Sequence, residues 1–293
     1  MSASILAKHL GRCIQITICP LTLFVSFTLL SCTTLLNNAI IEPTVGNLQR
    51  QSDVELVCDG ASSYLLMIDS LIESNPDDND LLLTGAKAYS GVISALASCG
   101  TDGPRLQTLS QKAHKYGIRL LQAELAFSLN DISSLESPLE NSTPQSAENL
   151  FWGSYGVLSW IQQQNGSPES LTALIIVEKI MGRLTIMSPS IENGGPHLFF
   201  GALLGSKPPM LGGNLAQSKE HFETALEIAD RSFLLTQLTY AETYCRMAFD
   251  RELHDSLLNE IISYPLENAP QNVLVNQIAK RKAARLLADG YFD

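Results

Sequence analysis

The residue with the most specific chemistry is a cysteine near the N-terminus. Leu29-Leu30-Ser31-Cys32 comes after two basic residues, Lys8 and Arg12, and an apolar run from Ile14 to Leu30. That order, basic then apolar then a small residue before a thiol, is the order of a bacterial lipoprotein leader. The Cys32 thiol would take a diacylglycerol. Cleavage after the small Ser31 would free its amine, which is acylated in turn. Each buried CH₂ contributes about 0.8 kcal/mol, so several chains on one residue anchor stably. An uncleaved span is the competing reading. It is opposed by Pro20, Gln15 and several threonines within a short apolar run. Residue 33 is Thr rather than Asp, which permits the outer membrane.

The other reactive side chains do not assemble into a reaction centre. His114, His197, His221 and His254 are scattered, one per helix or turn, and no HExxH, GxSxG, Walker or EF-hand pattern occurs. No catalytic residue, metal ligand set or cofactor is expected, and the chain reads as a non-enzyme. Glu220, His221 and Glu223 read as the solvated face of a helix. Cys58 and Cys99 flank a turn near residues 76–78, 18 residues before it and 21 after it. Two antiparallel helices meeting at that turn would place them side by side. A disulfide and two buried thiols both stay open. Cys245 reads as core. Phe151, Trp152, Tyr155 and Trp160 recur at spacings of 3 to 5, which suits either a ligand wall or packing between helices. Lys280, Arg281, Lys282 and Arg285 sit where cations favour a helix C-terminus.

These residues must be held by helices. From residue 54 onward the apolar positions recur at helical spacing between Pro, Gly and Asn turns. The pattern predicts helices over 54–72, 79–98, 107–129, 145–163, 169–187, 215–230, 233–248, 251–263 and 271–288, with one more through Phe200-Gly201. In the run 205–226, Pro208 and Pro209 block helix, Gly212-Gly213 permits open backbone angles, and Asn214 can cap the helix that starts at residue 215. A Gly-Gly before a helix could hold an anion. No strand or GK[ST] accompanies it, so a structural turn plus cap is the plainer reading. Ser218, Phe222 and Ala225 fit the second helix of a tetratricopeptide hairpin, and Phe200-Gly201 with Leu204 fits the first. The small residues of successive hairpins, 86, 153, 201 and 241, are 67, 48 and 40 apart, so repeats are degenerate. The expected fold is all-α: tetratricopeptide-like hairpins forming a compact solenoid over residues 54–293, after a leader at 1–31 and a polar tether at 32–53. Residues 130–145, with two prolines and four serines, read as a polar loop for mobility or partner contact.

Hydrophobic content of 45% supports a sizeable core. The net charge of −11 falls to −13 once the leader removes Lys8 and Arg12. Such a balance argues against nucleic acid as a partner.

Several motifs in fixed order resemble one family. They are Asp59-Gly60, Pro76-Asp77 leading to Ala86 and Tyr89, Glu148-Asn149 leading to Trp152-Gly153 and Trp160, and Pro196-His197 with Gly201. Pro209-Met-Leu-Gly-Gly-Asn with His221-Phe222, Tyr240-Ala241 and Lys282-Ala283 complete the set. The chain resembles the T-component lipoproteins of tripartite ATP-independent periplasmic (TRAP) transporters, from about residue 59 to the C-terminus. The serine-rich stretch Ser133 to Ser146 departs from that pattern. The resemblance implies a periplasm-facing accessory protein of the bacterial cell envelope, lipid-anchored through Cys32. It implies docking of the periplasmic solute-binding protein, handling of its ligand, and a homotrimer. Trp152, Tyr155, Trp160, Pro209, Gly212 and Gly213 are the candidate partner or ligand face. A generic outer-membrane tetratricopeptide scaffold for envelope assembly is the alternative.

Overall fold

The computed structural model describes residues 42–292 apart from residue 165. The leader and Cys32 lie outside the described residues. A short helix, α1 (Glu42–Gln49), occupies part of the expected tether. Ten longer or shorter helices come after it within Gly46–Asp293, which forms one contact unit, and two brief ones link them.

The first hairpin is α2 (Val54–Ser74) and α3 (Asn79–Ser98). Then come α4 (Gly103–Leu125), α5 (Glu136–Glu140), α6 (Ala147–Ile161), α7 (Pro168–Met187), α8 (Ile191–Gly205) and α9 (Leu215–Ile228). The last part holds α10 (Leu234–Tyr240), the π-segment Ala241–Cys245, α11 (Arg246–Ala248), α12 (Arg251–Ser263) and α13 (Val273–Ala288). No strand occurs among the described residues.

Local sequence explains where these helices start. Asp53, Asp78, Asp102, Ser167, Asn214 and Asp250 each accept a backbone N–H of the first turn they precede. Each such cap contributes about 1 kcal/mol. Pro104 and Pro168 add a fixed φ in the first turn, where no donor is lost.

Packing explains how the helices meet. The α4–α6 crossing is so close that a Cβ on Gly117 would sit 2.5 Å from the Gly153 carbonyl oxygen. Only glycine lets these two backbones touch. Phe151, Leu150, Val157, Ile176, Ile180 and Leu184 form one core with it. Phe222, Leu226, Leu238, Tyr240, Leu258 and Ala283 form a second.

Two segments differ from the sequence reading. Residues 130–145 are not a loose loop. A 3₁₀ turn (Ile132–Leu135) and α5 bury Leu135 and Leu139 in the first core. Arg183 donates to the carbonyls of Glu140 and Ser142, and Lys179 pairs with Glu136 at 2.9 Å, so α7 pins the segment. The polar composition belongs to its outer side, and two leucines suffice to anchor it. The helix expected over 233–248 is also not continuous α-helix. It widens into a π-turn at Ala241–Cys245 and ends on Phe249, whose φ is +53°.

The last helix returns to the first hairpin. The Arg281 guanidinium grips the Glu55 carboxylate with both terminal nitrogens, and Arg285 donates to the Ser98 carbonyl at 3.1 Å. Cations that sequence alone assigned to helix-end electrostatics therefore reach across to α2 and α3.

Candidate functional site

Two features stand out: a row of half-buried aromatic and imidazole rings, and an apolar turn held out in solvent.

The row begins on α6. Trp152 packs edge-on to Tyr155 at 5.5 Å, and Tyr155 stacks with Phe151 at 6.0 Å. Lys87 of α3 lies 5.6 Å from the Trp152 ring while pairing with Glu148. Trp160 is not part of this group; it sits against His114 of α4 at 4.4 Å. Burial pushes Tyr155 above the usual phenol range and His114 below the usual imidazole range, since each charged form would lose water.

The indole N–H of Trp152 donates to the Glu192 carboxylate at 2.8 Å. Glu192 stands in a conformation that glutamate avoids. Glu192, Asn193 and Gly194 have φ of 47°, 59° and 80°, a left-handed run at the head of α8. Such angles cost a non-glycine residue about 1–2 kcal/mol, and strain of this kind persists where the surroundings over-determine it. Pro196 then opens the regular part of α8.

One turn further, His197 meets His221 of α9, Nδ1 to Nδ1 at 3.0 Å. The α8–α9 register brings them together: Ser218 donates to the Gly201 carbonyl at 2.7 Å, and Gly201 lies flat on the Phe222 ring. Phe200 stacks on His221 at 5.3 Å. Burial lowers the pKa of both imidazoles, and His221 adds a repulsive push on His197. The solvated face expected for His221 and Glu223 is thus corrected. His221 is half-buried among rings, and Glu223 accepts the Tyr240 hydroxyl at 3.2 Å. Two histidines 24 residues apart gave no spacing signal. The antiparallel register, Gly201 on Phe222, is what could have paired them.

The second feature is the turn between α8 and α9. Gly212 has φ of 87°, and a Cβ on Gly213 would fall 1.7 Å from the Lys207 carbonyl oxygen. Hydrogen bonds from Leu211 and Gly213 to the Pro208 carbonyl, and from Asn214 to the Leu204 carbonyl, tie the turn at 2.9, 3.2 and 3.0 Å. It holds Met210 and Leu211 out at 89% and 67% exposure. The amides of residues 211–214 are spent on the turn itself and that of Gln217 on the Asn214 side chain, which is the structural turn plus cap. Phe249 is exposed as well.

Elsewhere, the Sγ atoms of Cys58 and Cys99 lie 2.12 Å apart, at bonding distance. Cys245 is buried, and burial pushes its thiol up to about 12, which makes it an inert core residue. Among the described residues no group of three or more His, Cys, Asp or Glu converges as a metal cage would.

The sequence matches the family described as TRAP transporter T-component over residues 50–292. The chain belongs to that family. The match spans the whole helical body, so this T component is part of a transport system of the bacterial envelope and its family is not one of enzymes. No curated protein matches the chain.

Proposed function

We propose that this T component is a lipid-anchored periplasmic accessory that docks the solute-binding protein of its TRAP system through the 208–213 turn. The observation that carries this reading is Met210 and Leu211 on a rigid turn. A flexible loop would fold such side chains back, whereas this backbone keeps them in water. Burying each against a partner would contribute about 1.5–3 kcal/mol, with no ordering cost for the turn. The row Trp152, Tyr155, Phe200, His197 and His221 is the proposed surface for handling the ligand. Its rings bind apolar matter, and the Glu192 and Lys87 charges flank Trp152. The anchor is the lipid on Cys32, at the outer membrane.

Self-association has its own candidate face. Leu171, Ile175 and Ile186 lie along one side of α7 and are exposed, which suits the homotrimer that the family resemblance implies.

The test is co-purification of the mature protein, from gently solubilised membranes of its own cells, with a periplasmic solute-binding protein. Met210→Asp with Leu211→Asp should cut capture about tenfold or more, while far-ultraviolet circular dichroism stays unchanged. Undiminished capture would remove the turn from the interface. Recovery of envelope-assembly proteins alone would favour the scaffold alternative.

A further inference from the structure

The serine-rich stretch 133–146 departs from the family pattern, and the docking role makes no use of it. It is held firmly all the same. Leu135 and Leu139 sink into the first core, and Arg183 donates to the carbonyls of Glu140 and Ser142 at 3.1 and 3.0 Å. Its polar side and the end of α4 enclose a cavity of about 260 Å³, lined by Glu124, Asn141, Ser142, Thr143, Gln145 and Ser146 among others. That volume lies just below the range of drug-sized sites, so the cavity suits a small solute. Its wall spends its own donors. The Ser142 hydroxyl donates to the Leu139 carbonyl at 2.6 Å, the Ser146 hydroxyl to that of Thr143 at 2.8 Å, and the Asn141 amide to that of Ser137 at 2.8 Å. The backbone amides of residues 141, 142 and 146 close the same turns. Oxygen lone pairs are what these groups have left to offer. Glu124 supplies the only charge among the lining residues. Asn149 donates to one of its oxygens at 3.0 Å, and the other is left for a ligand.

Helix ends add to this charge. Glu124 stands in the last turn of α4, which has no basic residue there, so the partial negative charge of that end is unanswered. The positive end of α6 borders the cavity too, but Glu148 stands in its first turn and the Ala147 amide donates to the Pro144 carbonyl. Arg183 donates to backbone carbonyls and to the Ser142 hydroxyl, within the wall and not in the cavity lining. We propose that this cavity binds a small primary-ammonium solute. Such a group brings three N–H donors and a positive charge, which match the acceptors and the free Glu124 oxygen. Charge-assisted hydrogen bonds of this kind are the stronger ones. A quaternary ammonium carries the same charge without N–H groups and leaves those acceptors unpaired. This binding stands apart from docking at the 208–213 turn and does not depend on it.

The experiment is an NMR titration of the mature protein with n-propylammonium at low salt and pH 7.5, with tetramethylammonium as the control ion. In the unaltered protein, n-propylammonium should shift the amides of Leu125 and of residues 141–146 to saturation. Tetramethylammonium should bind about tenfold more weakly or less. Glu124→Gln keeps the shape of the side chain and should weaken n-propylammonium about tenfold, whereas Glu227→Gln on α9 should leave it unchanged. Equal binding of the two ions, shifts in residues 141–146 that do not saturate, or full affinity in Glu124→Gln would each overturn the proposal and leave only general attraction to an acidic surface.

Discussion

Breaking the bond between Cys58 and Cys99 should weaken this fold substantially. The two residues are 41 apart in sequence, and they join the N-terminal part of α2 to the end of α3. A cross-link closing a loop of that length removes chain entropy from the unfolded state worth about 4 kcal/mol. In a chain of this size that corresponds to roughly 10 °C in melting temperature. The effect should extend beyond the hairpin. Ser98, which accepts from Arg285, neighbours Cys99, and Glu55, gripped by Arg281, lies one turn before Cys58. Loosening the hairpin therefore loosens the seat of α13. The assay is urea denaturation of the mature protein with and without reductant, and of Cys58→Ser with Cys99→Ser. Amide exchange in α13 should quicken in the same variant. Thiol counting in denaturant without reductant should find Cys245 alone. Three free thiols, or a stability loss below about 1 kcal/mol, would refute the reasoning.

Three further outcomes come from packing and charge. Leu135→Ala should cost about 2–5 kcal/mol in urea denaturation, because the side chain is wholly buried beneath the serine-rich segment; an effect as small as that of a surface change would return the segment to solvent. Gly117→Ala should destabilise by about 1–3 kcal/mol by the same measurement despite the better helix propensity of alanine, since the new Cβ meets backbone of α6 and not a movable side chain. Glu260 sets a pH dependence. Burial pushes its carboxyl up, but hydrogen bonds from Arg231 and Gln237 outweigh this and hold it below the ordinary 4.5. A depressed folded pKa means the stabilisation is present above 4.5 and is lost as pH falls through the folded value. Acid unfolding of Glu260→Gln should be shallower between pH 5 and 3, as followed by circular dichroism; an unchanged slope would remove Glu260 from the acid transition.

Much of the secondary structure was legible locally. Asp78 before Asn79–Ser98 and Asp250 before Arg251–Ser263 are caps followed by helical periods, and both helices start and stop where the pattern says. Caps, prolines and apolar periods act within a few residues, so one chain carries them openly. The α3 stripe with Ala86 and Tyr89, the small Gly153 and Gly201, and the Pro/Gly turn ahead of Asn214 were readable for the same reason.

Contacts between helices were not. Whether Trp160 joins Trp152 or His114 depends on a crossing angle, and a spacing of 8 residues does not contain it. Residues 130–145 misled because composition averages over a segment, while burial is decided by two leucines facing α7. In the left-handed run 192–194, Asn193 and Gly194 suit those angles and Glu192 does not, and Trp152, on another helix, holds the Glu192 carboxylate. By itself the sequence determined a helical protein and its family, because periodicity, capping and motif order are local or ordered along the chain. Only the tertiary structure decided that His197 meets His221, that Met210 and Leu211 stay in water, and that α13 closes on α2 and α3. Those outcomes rest on register and on distances between segments remote in sequence, which no local preference encodes.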